Sequence, residues 1–147
     1  MTTQQMDDIY YVCTMIEYVG RHTKNRRRDV VSCLGRKGIE RQLKVASVNH
    51  ALSFEQVSDE WIEDYEIPEG SFDSVAACRY KIPAETAIGR VYQDLVLRTM
   101  KEGDAAQGIL DVFSSFISDE ISDFNTNVYY SNPDYLKCSY EEGVLLA

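Results

Sequence analysis

The stretch from Ala105 to Phe124 constrains the chain most. Ile109, Leu110, Phe113, Phe116, Ile117 and Ile121 recur every three or four positions. That spacing draws one apolar stripe along a 3.6-residue helix and does not fit the two-residue alternation of a half-buried strand. Such a stripe is stable only when other apolar faces cover it. Ile9, Val12, Cys13, Ile16 and Val19 predict a partner helix over Met6–Arg21, with Asp7 and Asp8 where the helix dipole favours anions. A short helix from Arg26 to Leu34 closes at Gly35, and a third, Ile39 to Leu52, aligns Ile39, Leu43, Ala46 and His50. Ser53 with Gln56 three residues on reads as the N-cap of a fourth, burying Phe54, Val57, Trp61 and Tyr65. Pro83 opens a fifth that runs to about Met100, with Ile88, Val91, Tyr92, Leu95 and Met100 on its stripe.

The periodicity lapses twice. Residues 66–82, punctuated by Pro68, Gly70 and Pro83, read as a loop holding Phe72, Val75 and Tyr80 against the body. After Phe124, the run Ser131-Asn132-Pro133-Asp134 is a turn signal, and residues 125–147 read as an irregular tail. The expected fold is all-α, a compact bundle of about six helices in one domain over residues 1–147, with any seam at the 66–82 loop. A chain of 147 residues suits one core and needs no disulfide or metal to hold it.

Cys13, Cys33, Cys78 and Cys138 are separated by 20, 45 and 60 residues, which matches no zinc spacing and contains no C-x-x-C pair. With no apolar leader or membrane-length run, the simplest expectation is a cytoplasmic protein with free, mostly buried thiols and no cofactor. Net charge is −9 but unevenly placed: residues 1–50 carry nine Lys/Arg against five Asp/Glu, while residues 51–147 carry six against nineteen. The anionic remainder repels membranes and nucleic acid, and the basic segment attracts anions or an acidic partner.

The sharpest local feature is Arg21-His22-Thr23-Lys24-Asn25-Arg26-Arg27-Arg28. The plain interpretation is a solvated helix junction whose cations offset the C-terminal dipole of the first helix. The functional one is recognition of phosphates or carboxylates by Arg21, Lys24, Arg26, Arg27 and Arg28, since the guanidinium fork matches both. Ten tyrosines are many for this length, and Tyr129, Tyr130, Tyr135 and Tyr140 crowd the C-terminal end. Tyrosine joins a large apolar ring to a polar tip and dominates interface energetics together with Arg.

Catalytic motifs are missing: no glycine-rich phosphate loop, no G-x-S-x-G, no H-E-x-x-H. A Cys–His nucleophile would require Cys33 or Cys78 to meet His50, which more simply packs in a helical stripe. Asp59, Glu60, Glu63 and Asp64 are a solvated acidic face in the simplest reading, although a carboxylate pair could in principle serve hydrolysis. The helices over 26–52 invite a helix-turn-helix comparison in which Arg41, Gln42, Lys44 and Asn49 face the bases, and the acidic remainder argues against it.

Ile9-Tyr10-Tyr11-Val12-Cys13 to Tyr18, Leu34-Gly35, Asn49-His50-Ala51-Leu52 and Val57-Ser58-Asp59-Glu60-Trp61-Ile62 carry a resemblance. Over residues 9–65 the chain resembles a short, uncharacterised helical domain family of gut Firmicutes. Its members are often encoded beside ADP-ribosyltransferase-like proteins, in an arrangement resembling a toxin with its neutralising partner. The resemblance implies a protein-interaction module, antitoxin-like or regulatory. Residues 21–28 and the tyrosines at 129, 130 and 135 are the expected protein-contact residues, and a homodimer through the sixth helix is compatible with that role. The alternatives are an enzyme with an unrecognised carboxylate or Cys/His site, and a DNA-binding helical protein.

Overall fold

A computed structural model describes all 147 residues as an all-α bundle without strands. The helices are α1 (Thr3–Thr23), α2 (Arg27–Asn49), α3 (Phe54–Asp64), α4 (Glu85–Thr99), α5 (Ala105–Ser114), α6 (Phe116–Ser122) and α7 (Pro133–Glu142), with a 3-10 turn at Val128–Tyr130. Their starts are chemically marked. Thr2 accepts from Gln5 N–H in a reciprocal capping box, and Ser53, Asp104, Ser115 and Asn132 each accept from a backbone N–H of the following first turn.

α1 is the central helix. Tyr11 to Glu17 are buried without interruption, and so are Ile9, Val19 and Gly20. A helix apolar on most of its circumference must be surrounded, and α2, α3 and α4 pack around it while α5 covers α2 and α7 covers α4. The closest crossing is between α1 and α4. A Cβ at Gly89 would stand 2.0 Å from Thr14 Oγ1, so the two backbones approach as only glycine permits. Val57 and Trp61 anchor α3 with Phe54 and Tyr65 half-buried, and the Tyr92 ring stacks on Phe113 at 3.9 Å between α4 and α5.

Three elements differ from the sequence expectation. The second and third helices form one run broken only at Gly35, whose φ of 65° and ψ of 175° no side-chain-bearing residue holds without strain. The long sixth helix is two, because Ser115 is extended (ψ 168°) and caps α6. Residues 125–147 are not an irregular tail: Asn132 caps α7 with Pro133 in its first turn, and Gly143 closes it at φ 80°. The 66–82 loop is present, with Phe72 and Val75 half-buried as expected, whereas Tyr80, expected against the body, projects into solvent. All four cysteines are free, but only Cys13 is buried, and Cys138 is exposed.

Candidate functional site

α1 ends as Lys24 turns into the left-handed region at φ 59°, and α2 begins at Arg27. The tight turn sends the cations of the basic run in opposite directions. Arg27 points inward and is 1% exposed. Its Nε and Nη2 each donate to a Glu17 oxygen at 2.9 Å, Nη2 also donates to Ser74 Oγ at 2.9 Å, and Nη1 donates to the Asn25 carbonyl at 2.8 Å. Arg21 donates to the same Glu17 carboxylate at 2.7 Å, to the Pro83 carbonyl at 2.8 Å and to Glu85 at 3.2 Å. Gly20 makes room for this network, since a Cβ there would lie 2.4 Å from Arg27 Cδ. Burial alone would push the Glu17 carboxyl up, but the two guanidiniums hold it below the usual carboxylate range. Arg21 and Arg27, expected at a partner surface, are therefore scaffold: one buried carboxylate ties α1, α2 and the 66–82 loop together.

The other three cations face out. Lys24 is exposed and its ammonium has no partner in the chain. Arg26 lies over the Phe72 ring at 4.4 Å and pairs with Asp119 at 3.2 Å, and Arg28 pairs with the same carboxylate. The loop is strapped across the turn by three hydrogen bonds. Gly70 N–H donates to the Thr23 carbonyl and Phe72 N–H to the Lys24 carbonyl, both at 2.8 Å, and Asn25 Nδ2 donates to the Pro68 carbonyl at 2.7 Å. A Cβ at Gly70 would be 2.4 Å from the Lys24 carbonyl.

Between strap and α6 lies a cavity of about 270 Å³ lined by Arg26, Phe72, Ser74, Asp119, Ser122 and Phe124. Ser122 Oγ is buried here without a protein partner. Phe124 gathers an aromatic end around it. Arg21 covers the ring at 5.0 Å, Tyr129 meets it edge-on at 5.7 Å, and Tyr130 meets Tyr129 at 4.8 Å. Asn125 accepts from Arg79 N–H at 2.8 Å and donates to the Ala77 carbonyl at 2.9 Å, which brings the next stretch of the loop alongside. Tyr80, Ile82 and Tyr130 project at 66%, 37% and 68% exposure. Tyr135 belongs elsewhere: it is half-buried on α7 and its hydroxyl donates to the Leu146 carbonyl at 2.7 Å.

The rival chemistries find little support in the geometry. His50 rests on Tyr11 with ring centroids 4.4 Å apart, Cys78 Sγ contacts the Tyr80 carbonyl at 3.3 Å, and neither Cys33 nor Cys78 is hydrogen-bonded to His50. Asp59, Glu60, Glu63 and Asp64 are all exposed, as a solvated face requires, and no group of three His, Cys, Asp or Glu converges as metal ligands. Gln42 is buried with its amide donating to Tyr65 Oη at 2.8 Å, which removes one of the four residues offered for base reading. No helix is long and apolar enough to cross a membrane. Another cavity, of about 680 Å³, lies at the C-terminal end of α4 among Thr99, Lys101, Asp104, Asp111, Tyr140 and Glu141.

Glu17, Ser74 and Asp119 complete the site without a sequence expectation, and Phe72 joins them from the loop expected to hold it against the body. Of the first three only Glu17 left a trace, as a carboxylate within an otherwise apolar helical face, a placement that calls for a buried partner. Comparison with protein-family models, curated proteins and solved structures finds no match for the chain.

Proposed function

We propose that this chain is a cytosolic protein-interaction module, a regulatory or antitoxin-like partner of an effector encoded nearby. Its docking end is the strap and the turn around Phe124, with Tyr80, Ile82 and Tyr130 as anchors and Lys24, Arg26 and Arg28 at the rim. The observation that carries this reading is the juxtaposition of projecting aromatic and aliphatic side chains with outward cations that only Asp119 offsets. Large rings desolvated at the centre and Arg at the edge are the composition of energetic hot spots, and the cations favour an acidic partner surface. The resemblance over residues 9–65 supports the same role.

Co-expression with the products of adjacent genes, followed by size-exclusion chromatography, tests the reading. Co-elution with one of them, lost in Tyr130→Ala and in Lys24→Glu, is the expected result. Independent elution of the wild-type chain from every neighbour would overturn it.

A further inference from the structure

A second surface, along α1 and the start of α3, is bordered by carboxylates and adjoins the basic turn only at its His22 end. Tyr11, Tyr18 and His22 follow one another at intervals of seven and four residues, so they line one side of α1. His50 from the end of α2 lies on Tyr11 at 4.4 Å. Phe54, the first residue of α3, meets Tyr11 edge-on at 6.3 Å and Tyr18 at 5.7 Å, and Tyr18 stacks on His22 at 6.2 Å. Five rings from three helices thus form one continuous row. Tyr11 is its buried anchor, Phe54 and Tyr18 are half-buried, and both histidines are exposed.

Carboxylates border the row. Glu55, Asp59 and Glu60 are exposed and take part in no ion pair, and α3 carries no Lys or Arg at all. They stand close enough to act on the rings: beyond the effect of burial, Glu60 opposes ionisation of the Tyr11 hydroxyl, and Glu55, Glu85 and Asp59 oppose that of Tyr18. Aromatic faces attract cations through the ring quadrupole, and carboxylates at their margin pair with the same cation. That negative margin repels nucleic acid and anionic membranes.

We infer that the α1–α3 face docks a basic, arginine- or lysine-rich polypeptide segment of a partner protein, its cations resting on Tyr18 and Phe54 and pairing with Glu55, Asp59 and Glu60. A fluorescein-labelled peptide of alternating arginine and glycine, titrated with the full chain at low salt and followed by anisotropy, tests this against its glutamate–glycine counterpart. Saturable binding of the arginine peptide alone is expected. It weakens about tenfold in the triple variant Glu55→Gln, Asp59→Asn, Glu60→Gln, given three charge pairs of modest individual worth. Tyr18→Leu, which keeps apolar bulk but removes the ring, weakens it several-fold. Glu102→Gln, Glu141→Gln and Glu142→Gln together remove as much charge outside this face and leave binding unchanged. The exchanged carboxylates are exposed, so circular dichroism should show both triple variants folded. Absence of saturable binding, equal binding of the glutamate peptide, an equal loss in the second triple variant, or no effect of Tyr18→Leu would each overturn the inference.

Discussion

Glu17 is the residue on which the interior most depends. In Glu17→Gln the Arg27 guanidinium, with no exposed side-chain area, loses its charge partner while remaining buried. Breaking a buried pair from one side costs about 3–5 kcal/mol, so urea unfolding should show a loss of that order; a change below about 1 kcal/mol would contradict the buried-pair account. The same carboxylate sets an acid limit. Its folded pKa lies below the unfolded value of about 4.3, so its contribution is complete above that value and disappears as pH falls through the folded one. Unfolding free energy of the wild type should therefore decline below about pH 4, and the Glu17→Gln variant should lose less over the same range. At the alkaline end the sign reverses. Burial and then Glu60 push Tyr11 up to about 12, and burial foremost pushes Tyr92 well above its usual range, so stability falls as pH rises past about 10. At this scale the sequence was least informative. Eight residues with one dense cluster of charge read as surface, yet Arg21 and Arg27 are spent internally: Arg21 lies one turn after Glu17 on α1, whereas Arg27 reaches it from the next helix, a contact about which periodicity says nothing.

Helix by helix, the sequence was far more legible, because capping and the 3.6-residue period are local. Ser53 with Gln56 reads as a cap and is one. Ser115 and Asn132 carry the same chemistry without the same legibility: one sits inside an unbroken apolar stripe, and the other belongs to a tetrapeptide that reads equally as a turn. Apolar spacing alone cannot distinguish one helix from two whose stripes happen to stay in phase. How closely two helices approach was also invisible, and Gly89 shows it. In Gly89→Ala the new Cβ would lie 2.0 Å from Thr14 Oγ1 and 2.9 Å from Thr14 Cα, so trimming the threonine to alanine does not relieve the clash. α1 and α4 must separate, at a cost of about 1–3 kcal/mol by analogy with overpacked cores. A lowered denaturant midpoint with an unchanged slope is the expected result, and a midpoint equal to wild type would show that the crossing has slack.

For the molecule as a whole, the four thiols report on its integrity. Cys138 is exposed and should react with a disulfide reagent at once, whereas Cys13 is fully buried and burial holds its thiol protonated, so it should react only as fast as the fold opens. Comparable rates for Cys13 and Cys138 in the native protein would mean that the core around α1 is not closed. The strap has an effect of a different kind. Gly70 and Phe72, two residues apart, both donate to α1–α2 turn carbonyls at 2.8 Å, while the amides of Glu69 and Ser71 donate to nothing within the chain. In deuterated solvent this stretch should show alternate amides retained and exchanged, with Gly70 and Phe72 protected and Glu69 and Ser71 not. Ser74, two residues beyond Phe72, accepts from the buried Arg27, so slow exchange of those two loop amides would report how firmly the strap is held over that charge.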